Sequence, residues 1–165
     1  MLTHDEQMSL FEEGEIIEQK ESILMCIQNT YFDKIVKGTK HNEYRFNFTR
    51  KKTKTRAYLY IPREKKHIAG YIDLGKPSWK NIKKTCEIYT ECDYGDYKVM
   101  ENWLADKDGC YVIPIEKIFI YEIPVNLAEL LSVDPNFNVP QSFMYLDDKK
   151  KLLSFLENRQ AIEYI

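Results

Sequence analysis

The sequence has no C-x-x-C pair among its four cysteines, no apolar stretch of signal-segment or membrane-spanning length, and only six glycines and six prolines in 165 residues. Cys86, Cys92, Cys110 and His67 could supply four ligands, but their spacing matches no zinc knuckle or ribbon, so buried thiols are expected, with no metal and no cofactor. Without an apolar leader, a reducing cytosolic compartment is the expected location. The glycine count excludes a collagen repeat, and 44% hydrophobic against 30% charged residues excludes disorder. Also missing are a Gly-rich phosphate loop, a G-x-S-x-G elbow, an H-E-x-x-H helix and a dinucleotide fingerprint. Of three histidines, His4 lies in an acidic leader, while His41 and His67 lie in basic stretches that suit surface residues better than catalytic bases. A chain of this length buries roughly 70% of its unfolded surface and needs no disulfide or structural metal.

Tyrosine is plentiful, with twelve in the chain, and its flat face and polar rim suit half-wet clefts as well as cores. Charge is segregated, although the net value is only −2. Residues 1–21 carry seven acids against Lys20, a net of −6, whereas residues 34–66 carry eight Lys and four Arg against Glu43 and Glu64, a net of +10. The second stretch has the footprint of a polyanion site, centred on the loop bearing Arg50, Lys51, Lys52, Lys54 and Arg56. A solvated Lys-rich loop is the plainer reading of the same residues.

Residues 1–21 read as a mobile acidic leader, followed by one domain over 22–165 that includes a C-terminal helix. Ile23 to Ile27 has strand length, and Asn29 or Thr30 can cap a helix that buries Phe32, Ile35 and Val36 and closes at Gly38. Lys40 to Phe48 alternates, placing Tyr44, Phe46 and Phe48 on one strand face and His41, Glu43, Arg45 and Asn47 on a polar one. Ala57 to Ile61 is apolar on both faces, as in a closed or covered sheet. Ile68 to Leu74 carries Gly70 where a bulge or a close backbone approach is expected. After a polar, Tyr-rich stretch come a helix near 96–105 and a long β run from Cys110 to Tyr121, with a bulge or edge expected at Pro114. Ser142 is placed as the cap of a last helix with Leu146, Leu152, Leu153 and Leu156.

Gly38, Lys40, Glu43 and Arg45 form the one cluster with chemical content. Lys40 follows a helix-ending glycine, and Glu43 and Arg45 project from one strand face, so cation, acid and cation converge. Such a group can bind a phosphate while Glu43 accepts a hydrogen bond from a base edge, or Lys40 beside Arg45 can act as a general base. A surface ion pair is the competing reading. Tyr58, Tyr60, Tyr71, Trp79 and Tyr89 are candidate stacking platforms, with Gln141 and Ser142 at the rim.

Gly38-Thr39-Lys40 followed by Arg45 resembles the G-x-K-x-x-x-x-R signature of ASCH (activating signal cointegrator homology) domains, in the PUA-like superfamily. The segments 24–37, 68–75, 111–115, Pro124 with Leu127, and 140–146 fall in the order found in longer bacterial ASCH proteins, covering roughly residues 22–146. The resemblance implies an α+β fold, a small mixed β-barrel with flanking helices, and a cleft lined by the signature residues. Taken with the basic stretch, it gives the expectation that the chain binds RNA or a modified nucleoside through Lys40, Glu43, Arg45 and the basic loop 50–56. The alternative is hydrolysis, as in the N4-acylcytidine amidohydrolases or ribonucleases of the superfamily, with Lys40 and Glu43 catalytic. Lys40 matches the amidohydrolase lysine, but the nucleophilic Thr falls at Glu43, which has no hydroxyl.

In the leader, Gln7-Met8-Ser9-Leu10-Phe11 resembles the Q-x-x-L-F peptide by which bacterial replication and repair proteins dock on the sliding clamp. Two other readings compete: Leu10 and Phe11 start an amphipathic helix with Ile16 and Ile17, or the acidic leader screens the basic stretch.

Overall fold

The computed structural model describes residues 20–164; Gln7, Leu10 and Phe11 lie outside the described residues. Lys20 and Glu21, the last residues of the acidic stretch, already belong to the fold, since Lys20 pairs with Asp73 and Glu21 begins the first strand. The strands are β1 (Glu21–Cys26), β2 (Asn42–Arg45), β3 (Thr55–Ile61), β4 (His67–Leu74), β5 (Ser78–Asn81), β6 (Gly109–Asn126), β7 (Phe143–Tyr145) and β8 (Ala161–Tyr164). The helices are α1 (Asn29–Val36), α2 (Ile82–Cys92), α3 (Tyr97–Trp103), α4 (Leu127–Val133) and α5 (Lys150–Glu157). Over the described residues the result is an α+β mixed half-barrel with five flanking helices.

One 18-residue strand, β6, organises the sheet. Its first half lies between β2 and β5, and its second half between β4 and β8, with β3, β1 and β7 continuing outward from β4. Among the described strands only the β1–β3 pair is parallel. Pro114, which lacks an N–H, sits where β6 passes from one set of partners to the other, and the β4–β6 register slips beside it between Asp73 and Leu74. The bulge expected there is present, within a strand that continues through Pro124.

Both sheet faces are covered, as the two-faced apolar pattern of β3 requires. Ala57, Leu59 and Ile61 join Ile23, Met25 and Ile35 of α1 in one cluster, while Tyr58 and Tyr60 join Leu24, Leu130, Leu152 and Leu156 in another. A third cluster packs Cys86, Met100 and Leu104 of the α2–α3 region against Tyr44, Cys110 and Val112. Caps follow local chemistry: Asn81, Asp96 and Asn126 accept from the backbone N–H of Lys84, Val99 and Glu129 at 2.8, 3.1 and 2.9 Å.

Gly70 meets the expectation of a close approach. A Cβ there would lie 2.0 Å from the Phe119 carbonyl oxygen and 2.9 Å from Ile120 Cα, both backbone atoms that cannot swing aside. Gly70→Ala is expected to destabilise the protein by about 2 kcal/mol, read as a lower urea midpoint at unchanged slope.

Several local assignments change. Thr30 lies inside α1, and Gln28 precedes it without a side-chain cap. The alternating stretch 40–48 is a strand only over Asn42–Arg45, and its polar face is covered, with Glu43 buried and Phe48 in a different cluster from Tyr44. Thr55 and Arg56 belong to β3 rather than to the basic loop. The polar, Tyr-rich stretch contains α2, and Ser142 precedes a strand, β7, rather than a helix.

Candidate functional site

The α1–β2 connection builds the site. Gly38 ends α1 with φ +75, and the backbone N–H groups of Thr39 and Lys40 both reach the Lys34 carbonyl, at 2.9 and 3.1 Å. The chain then passes the buried carboxylate of Asp93, just beyond α2. Asp93 accepts from the backbone N–H of His41 and of Asn42 (3.1 Å), from Asn42 Nδ2 (3.2 Å) and from the Tyr44 hydroxyl. Burial first, then the bond to Asp93, pushes the Tyr44 hydroxyl far above the ordinary phenol range, so it stays a donor. Asp93 is a structural anchor of the site that stood out in no sequence pattern.

Glu43 sits at the centre with its side chain 9% exposed. Its Oε2 lies 3.3 Å from Lys40 Nζ and its Oε1 accepts from Arg45 Nε at 2.8 Å. Lys40 also donates to the Asn42 carbonyl at 2.6 Å and lies 5.6 and 5.2 Å from the ring centres of Tyr31 and Tyr44. Arg45 spans the floor by donating to the Cys26 carbonyl (3.2 Å) and the Ser142 hydroxyl (3.1 Å). The exposed surface ion pair is thereby excluded: these charges are largely buried and their geometry is fixed by five neighbouring groups.

A cleft of about 990 Å³ opens over this group. Its walls come from the first turn of α1, the turn after β3 with Arg63 and Lys65, α3, and the Gln141–Ser142 segment. Lys40, Arg45, Arg63 and Lys65 against Glu43 and Glu64 leave the lining at +2. Trp103, 45% exposed, stacks on Phe46 at 4.2 Å between ring centres and 25° between planes, and Tyr31 stands 43% exposed on another wall. Cys26 also lines the cleft, but burial raises its thiol pKa against the opposing pull of Arg45, and it donates to the Pro140 carbonyl at 2.9 Å. It is a poor thiolate nucleophile.

The structure therefore brings together Lys40, Glu43, Arg45, Gln141, Ser142 and Tyr89 from among the sequence candidates. The basic loop does not line the cleft. Arg50 and Lys51 are exposed outside it, Lys52 bonds to the Phe48 and Thr49 carbonyls, and Lys54 lies 3.6 Å from Glu116. Arg56 makes a two-pronged contact with Asp73 at 2.8 and 3.1 Å, and it stacks 4.5 Å from the Tyr71 ring centre. Tyr58 and Tyr60 are core, and Trp79 is exposed beyond the cleft. Trp103, Tyr31, Arg63 and Lys65 were not picked out in the sequence. The signal for Trp103 was its place at the end of a short amphipathic helix whose other turn positions, Met100 and Leu104, are buried.

Among the described residues no three His, Cys, Asp or Glu side chains gather as a metal site, and no helix is long and apolar enough to cross a membrane.

No family model and no curated protein matches the sequence. Solved structures do match. The ASCH protein of Zymomonas mobilis superposes with a TM-score of 0.72 at 17% identity, covering 86% of this chain and 98% of that one. A Tyr-to-Phe variant of the same protein gives 0.71 at 16% identity over 86% of this chain and 100% of that one. The N-terminal domain of McrB from Staphylothermus marinus gives 0.50 at 12% identity, covering 84% and 96%. The chain has a PUA-like fold. Within that class its fold is the ASCH fold.

Proposed function

We propose that the cleft binds a nucleotide, in RNA or as a modified nucleoside, with the base over the Lys40–Glu43–Arg45 group and the sugar-phosphate toward the rim. The observation that carries this reading is the Glu43 carboxylate held between two cations at the floor of a net-positive cleft. With one lone pair on each oxygen committed to Lys40 or Arg45, Glu43 keeps capacity to accept from a base amino group. The two cations add positive potential to the site. A base has aromatic faces to meet in Trp103 and Tyr31. A phosphate has Arg63, Lys65 and the uncapped N-terminal turn of α1, whose dipole favours an anion.

The test is affinity for short RNA oligomers as a function of salt. Two to three phosphate contacts at the rim give a log-log slope of about −1.4 to −2.1, and Arg45→Ala should weaken binding at every salt concentration. Absence of binding at low salt would remove the proposal. Release of cytidine from N4-acetylcytidine by the wild type, lost in Lys40→Ala, would replace it with hydrolysis and make Lys40 a base.

A further inference from the structure

The cleft accounts for Tyr31 and Trp103 but leaves a second exposed aromatic group unexplained. Trp79, on β5, is 50% exposed and meets the Tyr111 ring edge to face at 5.2 Å and 78°. Lys52 Nζ lies 4.8 Å from the centre of the same Tyr111 ring, held in place by the Phe48 and Thr49 carbonyls. The core does not need Trp79, since β5 is exposed along most of its length. An aromatic face beside a fixed cation, presented to solvent, is the composition of a stacking platform for a base.

The register ties this platform to the cleft. Arg45 pairs with Tyr111 across β2–β6, and Tyr111 pairs with Trp79 across β6–β5, so the three side chains leave one face of the sheet in one row. Two strand spacings separate the ends of that row, about 10 Å. Between them, Phe46 and Asn47 wall both the cleft and a second concavity of about 300 Å³ that includes Trp79 and Lys107. Phe46 therefore stacks on Trp103 within the cleft while Lys107 Nζ lies 5.3 Å from its ring centre. Asp106 and Asp108 line the concavity beside Lys107, so the positive charge that favours a phosphate near Trp79 is that of Lys52 on the Tyr111 side.

From this row we infer that the ligand is a single-stranded RNA segment rather than a free nucleoside, with one base in the cleft and a following base on Trp79 after the strand crosses Phe46 and Asn47. The inference rests on the cleft reading above and adds a second subsite to it. A strand engages the second platform intramolecularly once the first base is seated, so the two contacts multiply.

The chain has two tryptophans, which allows each subsite to report separately. In Trp79→Phe the remaining Trp103 reports the cleft, and in Trp103→Phe the remaining Trp79 reports the second platform. Titrate each with adenosine 5′-monophosphate and with hexa-adenylate. Trp103 fluorescence should be quenched by both ligands, and Trp79 fluorescence by hexa-adenylate alone. Trp79→Ala should narrow the affinity gap between hexamer and monophosphate about tenfold, the worth of one stacked base. A silent Trp79 beside a responsive Trp103, with the gap unchanged, overturns the second subsite and leaves the cleft reading standing. Silence of both tryptophans removes the cleft reading together with it.

Discussion

Asp93→Ala is expected to destabilise the protein by about 4 kcal/mol and to abolish the proposed RNA binding by whatever fraction still folds. The carboxylate is 2% exposed and accepts from the His41 and Asn42 backbone, the Asn42 amide and the Tyr44 hydroxyl. Truncation strands those donors, each unsatisfied buried group costing about 1–3 kcal/mol where water cannot replace the partner. His41 and Asn42 lead directly into β2, so releasing them also releases the frame that sets Lys40 against Glu43. Urea unfolding measures the first effect and RNA titration under native conditions the second. A loss below about 1 kcal/mol would show that the anchor is replaceable by solvent.

Arg56→Ala is expected to cost about 3 kcal/mol at neutral pH, because it leaves the buried Asp73 carboxylate facing Lys20 alone. Burial on its own would raise the Asp73 pKa; hydrogen bonds from Arg56 and Lys20 outweigh it and hold the group below its ordinary value of 3.8. A depressed carboxyl pKa contributes stability that is present above the unfolded value and is lost as pH falls through the folded one. The wild type should therefore lose stability on acidification, while in the variant Lys20 alone opposes burial, so protonating Asp73 costs less. The urea midpoints of the two proteins should converge below about pH 4. A gap that stays constant with pH would assign the loss to the packing of Arg56 on Tyr71 instead. Because Arg56 lies outside the cleft, the same variant separates folding electrostatics from the salt slope of the RNA binding proposed above.

These two residues also show what was legible in the sequence. Arg56 counted toward a basic footprint because linear charge density records no partner, and its partner stands seventeen positions away on β4. Lys40, Glu43 and Arg45 were legible because a helix-ending glycine and a period-two strand set their directions locally. Gly70 and Pro114 were legible for a similar reason, since each is limited by its own backbone chemistry. Helix α2 was obscured because Thr, Ile, Tyr and Cys fill a segment that tertiary packing of Thr85 and Cys86 makes helical. Ser142 suits a cap by type, but its hydroxyl is taken by Arg45, ninety-seven positions earlier, a contact no local pattern encodes. Asp93 and Trp103 gain their roles only once α2 and α3 pack beside β2.

The sharing of β6 between both halves of the sheet also bears on the order in which a growing chain can acquire this site. As a chain leaves the ribosome, β1, β3 and β4 can pair with one another at once, but β2 and β5 have their ladder partner only in Gly109–Pro114. Lys40, Glu43 and Arg45 are synthesised in the first third of the chain and acquire their strand geometry only after residue 114 has emerged. The floor is finished later still, when Ser142 arrives to meet Arg45 and β7 closes on β1. Such late, non-local pairing is slow. Nascent chains that end before β6 can therefore hold a β1–β3–β4 sheet, while Lys40, Glu43 and Arg45 still lack the ladder and the floor that set their geometry.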